Sequence, residues 1–69
     1  MDKFGLTIEE AASYTGVGRD TLRQLVEWDK LPVLRVGRKS IVLTKTLENF
    51  LEANQGIDLL DREQVRAVK

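Results

Sequence analysis

The stretch from Gly18 to Trp28 carries several side chains that can bind nucleic acid. If this stretch is helical, Leu22, Leu25 and Val26 follow the i, i+3, i+4 spacing of a single apolar stripe. The opposite, outward side then carries the polar side chains of Arg19, Asp20, Arg23, Gln24 and Glu27. Arginine and glutamine have hydrogen-bond donors whose geometry matches base edges and phosphate oxygens. The pattern therefore predicts a helix that packs on one side and can contact DNA on the other.

The chain has few of the residue types that catalysis or metal binding usually requires. It contains neither histidine nor cysteine, so the common zinc ligand sets and disulfides are absent. Ser13 and Ser40 have no general base that a motif would place beside them, and the carboxylates show no paired arrangement. We therefore expect no enzymatic activity, no metal and no cofactor.

The positive charge is concentrated in the middle of the chain. The 69 residues carry 11 Lys and Arg against 11 Asp and Glu, whereas DNA-binding domains are usually basic. Residues 19–39 hold six cations and three anions, a net charge of +3, while residues 1–18 and 40–69 have net charges of −2 and −1. The excess of cations lies where contact with DNA would need it. A pure protein-interaction module is the alternative that the neutral total charge favours.

A short helix and a tight turn are predicted before the polar helix. Thr7 and Glu10 have the spacing of a capping box, in which each residue's side chain accepts a hydrogen bond from the other's backbone N–H. Gly16 lies where a left-handed residue would end this first helix, and Gly18 takes the N-cap position of the second. The second helix is expected to stop around Asp29 or Lys30, because Pro32 favours an extended segment.

A β-hairpin is predicted from Val33 to Leu43. Its apolar residues alternate, so that Leu34 and Val36 would share an inner face with Ile41 and Leu43 across a loop of residues 37–40. This register places Arg35 outward, opposite Val42, and leaves Arg38 and Lys39 in solvent. The alternative for these cations is a polar hairpin tip with no ligand.

A further helix is predicted after the hairpin, with Thr44 as its N-cap and Leu47, Phe50 and Leu51 as its apolar stripe. Beyond Gly56 the pattern weakens, and Asp58 would cap a last helix from Leu59 to about Val68. Phe4, Trp28 and Phe50 are expected in the core. Tyr14 is expected to be half-buried against the second helix.

These elements predict a small α+β fold: two helices joined by a tight turn, a β-hairpin wing and a closing helix. We expect a winged helix-turn-helix domain over residues 1–56 and a tail over residues 57–69. Residues 1–5 lack the order of a signal peptide, and no apolar run approaches the roughly 18 residues of a membrane span. A cytoplasmic protein is therefore expected.

Several blocks of the sequence resemble the excisionase family, whose fold is a MerR-like winged helix. They are LTIEEAA at residues 6–12, GV at 16–17, TLRQL at 21–25, LPVLRVGRK at 31–39 and LENFL at 47–51. The resemblance covers roughly residues 6 to 53, and the spacing of the blocks is specific for the fold. It is less specific for the role, because the same module serves excisionases, small phage-type activators and MerR-type repressors.

The resemblance implies that the second helix enters the major groove and that the wing lies along the adjacent minor groove or backbone. By position, the major-groove residues would be Arg19, Thr21, Arg23 and Gln24, and the wing residues would be Arg35, Arg38 and Lys39. An excisionase would bind and bend double-stranded DNA at the ends of a mobile element and so favour integrase-mediated excision. The alternative is a transcriptional regulator that uses the same residues.

The resemblance also implies partners. In several excisionases the tail after the closing helix contacts the integrase, a tyrosine recombinase, and residues 57–69 are placed to do so here. The alternative for this tail is a frayed terminus. We expect a monomer in solution that binds cooperatively to repeated sites on DNA.

Overall fold

The computed structural model describes residues 3–68, which form three helices and a three-stranded antiparallel sheet. The elements are β1 (Gly5–Thr7), α1 (Ile8–Thr15), α2 (Arg19–Glu27), β2 (Leu34–Val36), β3 (Lys39–Leu43) and α3 (Thr44–Ala53). The strand order is β1-β3-β2, so β3 lies in the centre of the sheet. The predicted α+β winged helix-turn-helix is confirmed, with α1 and α2 as the helix pair and residues 34–43 as the wing.

The start and end of α1 follow the predicted local signals. The Thr7 hydroxyl accepts a hydrogen bond from Glu10 N at 3.1 Å, and the Glu10 carboxylate accepts one from Thr7 N at 3.0 Å. Gly16 ends the helix with a φ of 80°, a left-handed conformation that costs glycine little. Lys3 also donates to Glu10 and, with the Thr7 backbone, holds the pKa of that carboxyl below its usual value.

The second helix starts as predicted but ends earlier than Asp29 or Lys30. Asp29 itself adopts a φ of 61°, so it leaves the helix in the left-handed region that Asp tolerates better than most residues. Lys30 N donates to Leu25 O at 3.0 Å and Asp29 N to Val26 O at 3.0 Å. These two bonds form a Schellman motif, in which an aspartate stands in the place that glycine usually takes.

The register of the wing differs from the prediction. Val36 pairs with Lys39 and Arg35 with Ser40, so the loop consists of Gly37 and Arg38 alone. Gly37 has a φ of 62°, which suits the first central residue of a type II′ hairpin turn. Arg35 is exposed, as predicted, but it lies opposite Ser40 and not Val42.

The buried face of the sheet is also not the one predicted. Val42 pairs with Leu6 of β1, and both side chains lie in the core. Because side chains alternate along a strand, Leu34 and Val36 then lie on the other face, where they are 52% and 61% exposed. The prediction paired β3 only with β2, whereas its pairing with β1 decides which face is buried.

Thr44 begins α3 but does not cap it through its side chain. Leu43 is the N-cap residue and makes no side-chain capping bond. The Thr44 hydroxyl instead donates to Lys3 O at 2.5 Å, and Thr44 N donates to Phe4 O at 2.9 Å. The predicted cap is therefore wrong, and Thr44 holds the segment that precedes β1.

The tail is not helical, contrary to the prediction of a helix from Leu59 to about Val68. Asp58 and Asp61 accept hydrogen bonds through their side chains from the N–H groups two residues further on, at 2.9 and 3.2 Å. Such bonds offer the backbone a turn in place of a helix. Val65 is only 2% exposed, so it completes the same core as the winged helix.

Asn54, at the end of α3, holds this tail in place. Its side chain accepts a hydrogen bond from Arg66 N at 2.7 Å and donates to Arg66 O at 3.0 Å and to Phe50 O at 2.8 Å. It is the buried polar residue of the described chain, at 3% exposure. Further along, Val68 N donates to Lys30 O at 3.2 Å.

Two aromatic residues lie outside the places predicted for them. Phe4 is 80% exposed and not in the core, because β1 begins after it. Tyr14 is exposed, at 56%, instead of half-buried, and its hydroxyl donates to Glu48 of α3 at 2.5 Å. Phe50 is fully buried as predicted, and Trp28 packs against the core with the Arg62 guanidinium 5.9 Å from its ring centre.

We predict that Asn54→Ala lowers the free energy of unfolding by about 2–3 kcal/mol, because it leaves buried backbone groups of Arg66 and Phe50 without their partner. Urea denaturation followed by circular dichroism measures this change. Asn49→Ala, at an exposed position of the same helix, is the matched control and should change stability by no more than about 0.5 kcal/mol. Equal effects of the two substitutions would contradict the role given to Asn54.

Candidate nucleic-acid interface

The pairing of β1 with β3 brings the tip of the wing close to the start of α1 and to α2. Thr7 pairs with Ile41, so the residues before Ile41 continue past the end of β1 toward the helix pair. A cleft of about 270 Å³ lies between these elements. It is lined by residues 7–9, by Arg23 of α2, and by Arg38, Lys39 and Ser40 of the wing. We refer to this feature as the α2–wing cleft.

Three of the predicted DNA-binding residues meet in this cleft. Arg23, Arg38 and Lys39 come from two separate parts of the chain, and each is exposed. Arg23 lies on one side of this concave surface, and the two wing cations lie on the other. The cleft is therefore suited to bind a polyanion. DNA binding with a helix in the major groove and a wing on the neighbouring backbone would require this arrangement.

The other predicted residues lie outside the cleft lining. Arg19 and Gln24 are exposed on α2, while Thr21 is half-buried. At 100° per residue, Thr21 is 160° away from Arg23 around the helix axis, so these two side chains lie on opposite flanks of α2. Arg35 is exposed on β2 and does not line the cleft.

Acidic residues lie among the cations of α2. Asp20 and Glu27 are exposed, and the helical period places them on the same outward side as Gln24. Asp20 Oδ1 is 3.7 Å from Arg23 Nη1, within ion-pair distance. The outward face of α2 is therefore mixed in charge.

Glu9 is a cleft residue that the sequence analysis did not identify as part of the site. Its carboxylate accepts a hydrogen bond from Arg23 Nη2 at 3.1 Å and links α1 to α2. The two residues are 14 positions apart, and neither helical nor strand periodicity relates them. Only the packing of α1 against α2 brings them together.

The wing cations differ from Arg23 in having no acidic partner. Within residues 3–68, Arg38 and Lys39 have no carboxylate oxygen within 4.0 Å. Their full charge is available to a ligand, whereas that of Arg23 is shared with two carboxylates.

A larger cavity, of about 560 Å³, lies on another part of the surface, beside Phe4, Tyr14 and the start of α3. Of its charged residues, Lys3 pairs with Glu10 and Glu48 accepts a hydrogen bond from the Tyr14 hydroxyl, which leaves Lys45 as its one cation without an acidic partner in residues 3–68. It lacks the cluster of unpaired cations that marks the α2–wing cleft, so the smaller cleft is the better candidate for nucleic acid.

The described residues offer little to other ligand classes. No group of three or more His, Cys, Asp or Glu side chains in residues 3–68 is arranged to hold a metal ion. Over the same residues, no helix has the length and apolar character that crossing a bilayer demands.

The comparisons with known proteins agree with this geometry. A family model described as a helix-turn-helix domain matches residues 6–55, which include α1, α2, the wing and α3. No curated protein and no solved structure matched the chain. Because the match covers most of the 69 residues, the chain belongs to the helix-turn-helix domain family, a family of DNA-binding domains.

Proposed function

We propose that the protein binds double-stranded DNA with α2 in the major groove and the wing on the adjacent minor groove or backbone. The observation that carries this proposal is the α2–wing cleft, in which Arg23 faces Arg38 and Lys39. The proposed major-groove residues are Arg19, Thr21, Arg23 and Gln24, and the proposed wing residues are Arg35, Arg38 and Lys39. A helix about 10 Å across fits the major groove, and a two-residue hairpin tip fits beside it.

The two sides of the cleft have different tasks in this proposal. Arg38 and Lys39 lie at the exposed tip of the wing, without acidic partners in the described chain, and bind phosphates. Such contacts position the protein and do not depend on base sequence. Side chains of α2 contact base edges and supply the sequence preference.

We predict that Arg38→Ala weakens binding to every duplex alike. Wild-type affinity should fall with salt with a slope of log K against log[salt] of roughly −4 to −5, and the variant's slope should be shallower by about 1, since one phosphate contact is lost. Fluorescence anisotropy with a native and a scrambled duplex at several salt concentrations measures both quantities.

Lys45→Ala removes one positive charge from an exposed position of α3, beside the larger cavity and away from the α2–wing cleft. It serves as the charge-matched control and should leave the salt slope unchanged. A wild-type affinity that does not respond to salt would contradict DNA binding. Equal losses in Lys45→Ala and Arg38→Ala would contradict the assignment of the wing.

DNA binding serves excision in this proposal. The protein acts as an excisionase, or recombination directionality factor, that binds and bends DNA at the ends of a mobile element and promotes excision by the element's integrase. The sequence blocks shared with the excisionase family support this role, and they lie within the matched domain. The protein performs no chemistry: groove and phosphate contacts offset the free energy of deforming the DNA. As a monomer in solution, it would occupy repeated sites cooperatively.

The integrase contact is proposed to involve the outward side of the tail. Val65 is buried and the Asn54 side chain bonds to Arg66, so these residues hold the tail against the domain. Leu60 is 64% exposed on the first turn of this segment. An exposed leucine on an anchored turn is a suitable apolar contact for a protein partner.

We predict that Leu60→Ser lowers integrase-dependent excision by about fivefold or more, because it removes an apolar contact at a protein interface. The measurement is the yield of excised circle from a plasmid that carries the element ends and expresses the integrase. The DNA affinity of the same variant is the internal control and should stay at the wild-type value. Excision at the wild-type level would contradict the tail contact. If the wild type bound DNA but had no effect on excision, a transcriptional regulator built on the same module would replace the excisionase.

A further inference from the structure

Arg23 differs from the wing cations in its surroundings. Its guanidinium lies between two carboxylates that come from different helices: Nη2 is 3.1 Å from Glu9 Oε2, and Nη1 is 3.7 Å from Asp20 Oδ1. The Arg23 and Glu9 side chains are 50% and 58% exposed, so both the guanidinium and its partner reach the surface of the cleft. Any DNA contact of Arg23 must therefore be made by a guanidinium that already has acidic neighbours.

The backbone of Glu9 is held in a fixed position from which its side chain contacts Arg23. It is the second residue of α1, between Ile8, which is buried in the core, and Glu10, which forms the capping box with Thr7. Its position in the first turn also suits a carboxylate, because the amino end of a helix carries partial positive charge. The backbone of Glu9 is thus held by its neighbours, while its side chain is left to contact Arg23.

Stabilisation of the fold is a poor explanation for the Arg23–Glu9 ion pair. Ion pairs between side chains that are half-exposed contribute little to folding, because water and salt screen them. The contact does restrict Arg23, a long side chain with many rotamers, to one region of the cleft. It also leaves a group of one guanidinium and two carboxylates with a net charge of −1.

The restriction of Arg23 and the net negative charge of its group both favour binding of Arg23 to base edges over binding to phosphates. A phosphate carries negative charge and is repelled by the two carboxylates, whereas the O6 and N7 acceptors of guanine are neutral. The guanidinium has five N–H donors, so commitment of one to Glu9 leaves others for a second acceptor. A guanidinium with acidic neighbours therefore gains more from a base edge than from the backbone.

We propose that Glu9 is a specificity-determining residue: it positions Arg23 to bind a guanine edge in the major groove and suppresses binding of Arg23 to phosphate. The inference rests on the proposed DNA binding and assigns α1 a part in sequence recognition. Arg38 and Lys39, without such partners in the described chain, supply the phosphate contacts. Glu9 acts through Arg23 and need not touch DNA itself.

The test uses two duplexes and five proteins. Wild type first selects its preferred duplex from a randomised pool, and a shuffled duplex of the same composition is the reference. Affinities are then measured for wild type, Glu9→Gln, Arg23→Ala, the double variant and Glu52→Gln, between about 50 and 200 mM salt. Glu52 lies at an exposed position of α3, outside the cleft, so Glu52→Gln makes the same change in charge elsewhere.

Glu9→Gln should bind the shuffled duplex about 3- to 10-fold more tightly, with a salt slope steeper by about 1, because Arg23 becomes free to bind phosphate. Its affinity for the selected duplex should change by less than about twofold, so its preference falls. Glu52→Gln should keep the wild-type preference. In the Arg23→Ala background, Glu9→Gln should have no effect on either duplex, since the residue through which it acts is gone.

The outcomes separate this inference from the function on which it rests. An unchanged preference in Glu9→Gln, or an equal effect of Glu9→Gln with and without Arg23, would overturn the role of Glu9 while DNA binding stands. A wild type that binds the pool without preference would also overturn it. A wild type with no salt-dependent affinity for any duplex would overturn the proposed function and this inference together.

Discussion

The antiparallel pairing of β1 with β3 sets Leu6 beside Val42 and fixes where two of the three helices begin. The residue after β1 is the first of α1, and the residue after β3 is the first of α3, so no loop residue separates either strand from its helix. The capping box at Thr7 and the bonds of Thr44 to the segment before β1 hold these junctions. A shift in this one strand pair would therefore move both helices and the wing together.

The geometry of the α2–wing cleft follows from the same constraint. β3 extends two residues beyond those that pair with β1, and β2 pairs with these two residues and with Ile41 to form the wing. The wing tip is thereby carried to the side of the sheet where α1 starts and where Arg23 of α2 emerges. The neutral total charge of the chain is compatible with binding a polyanion, because Arg38 and Lys39 at this tip have no acidic partner within residues 3–68, while Arg23 is balanced by Glu9 and Asp20.

Features that depend on local sequence could be predicted. The capping box needs only Thr7 and Glu10, the left-handed end of α1 needs only Gly16, and the buried sides of α2 and α3 follow from residues one turn apart. These signals lie within a few residues of each other, so no knowledge of the rest of the fold is required. They were enough to give the fold class and the order of α1, α2, the hairpin and α3.

Features that depend on distant residues could not be predicted in the same way. The buried face of the wing is decided by Leu6, which is 36 positions before Val42, and not by the alternation within the hairpin. The tail is held by Asn54, and its aspartates form turns that compete with the helix suggested by its apolar residues. For the site, Arg23 and the wing cations could be named from residue type and resemblance, but the link between Glu9 and Arg23 arises only from the packing of α1 on α2.

Chemical-shift mapping with a ¹⁵N-labelled protein and its preferred duplex tests whether α2 and the wing bind DNA, because it locates the bound surface without any substitution. DNA binding by the α2–wing cleft should shift the backbone amides of residues 7–9, 19–24 and 37–40, with little change for residues 45–51 and 59–66. Loss of these shifts at high salt would be expected of a surface that binds phosphates. Shifts centred on Phe4, Tyr14 and the start of α3, with none in the wing, would contradict it.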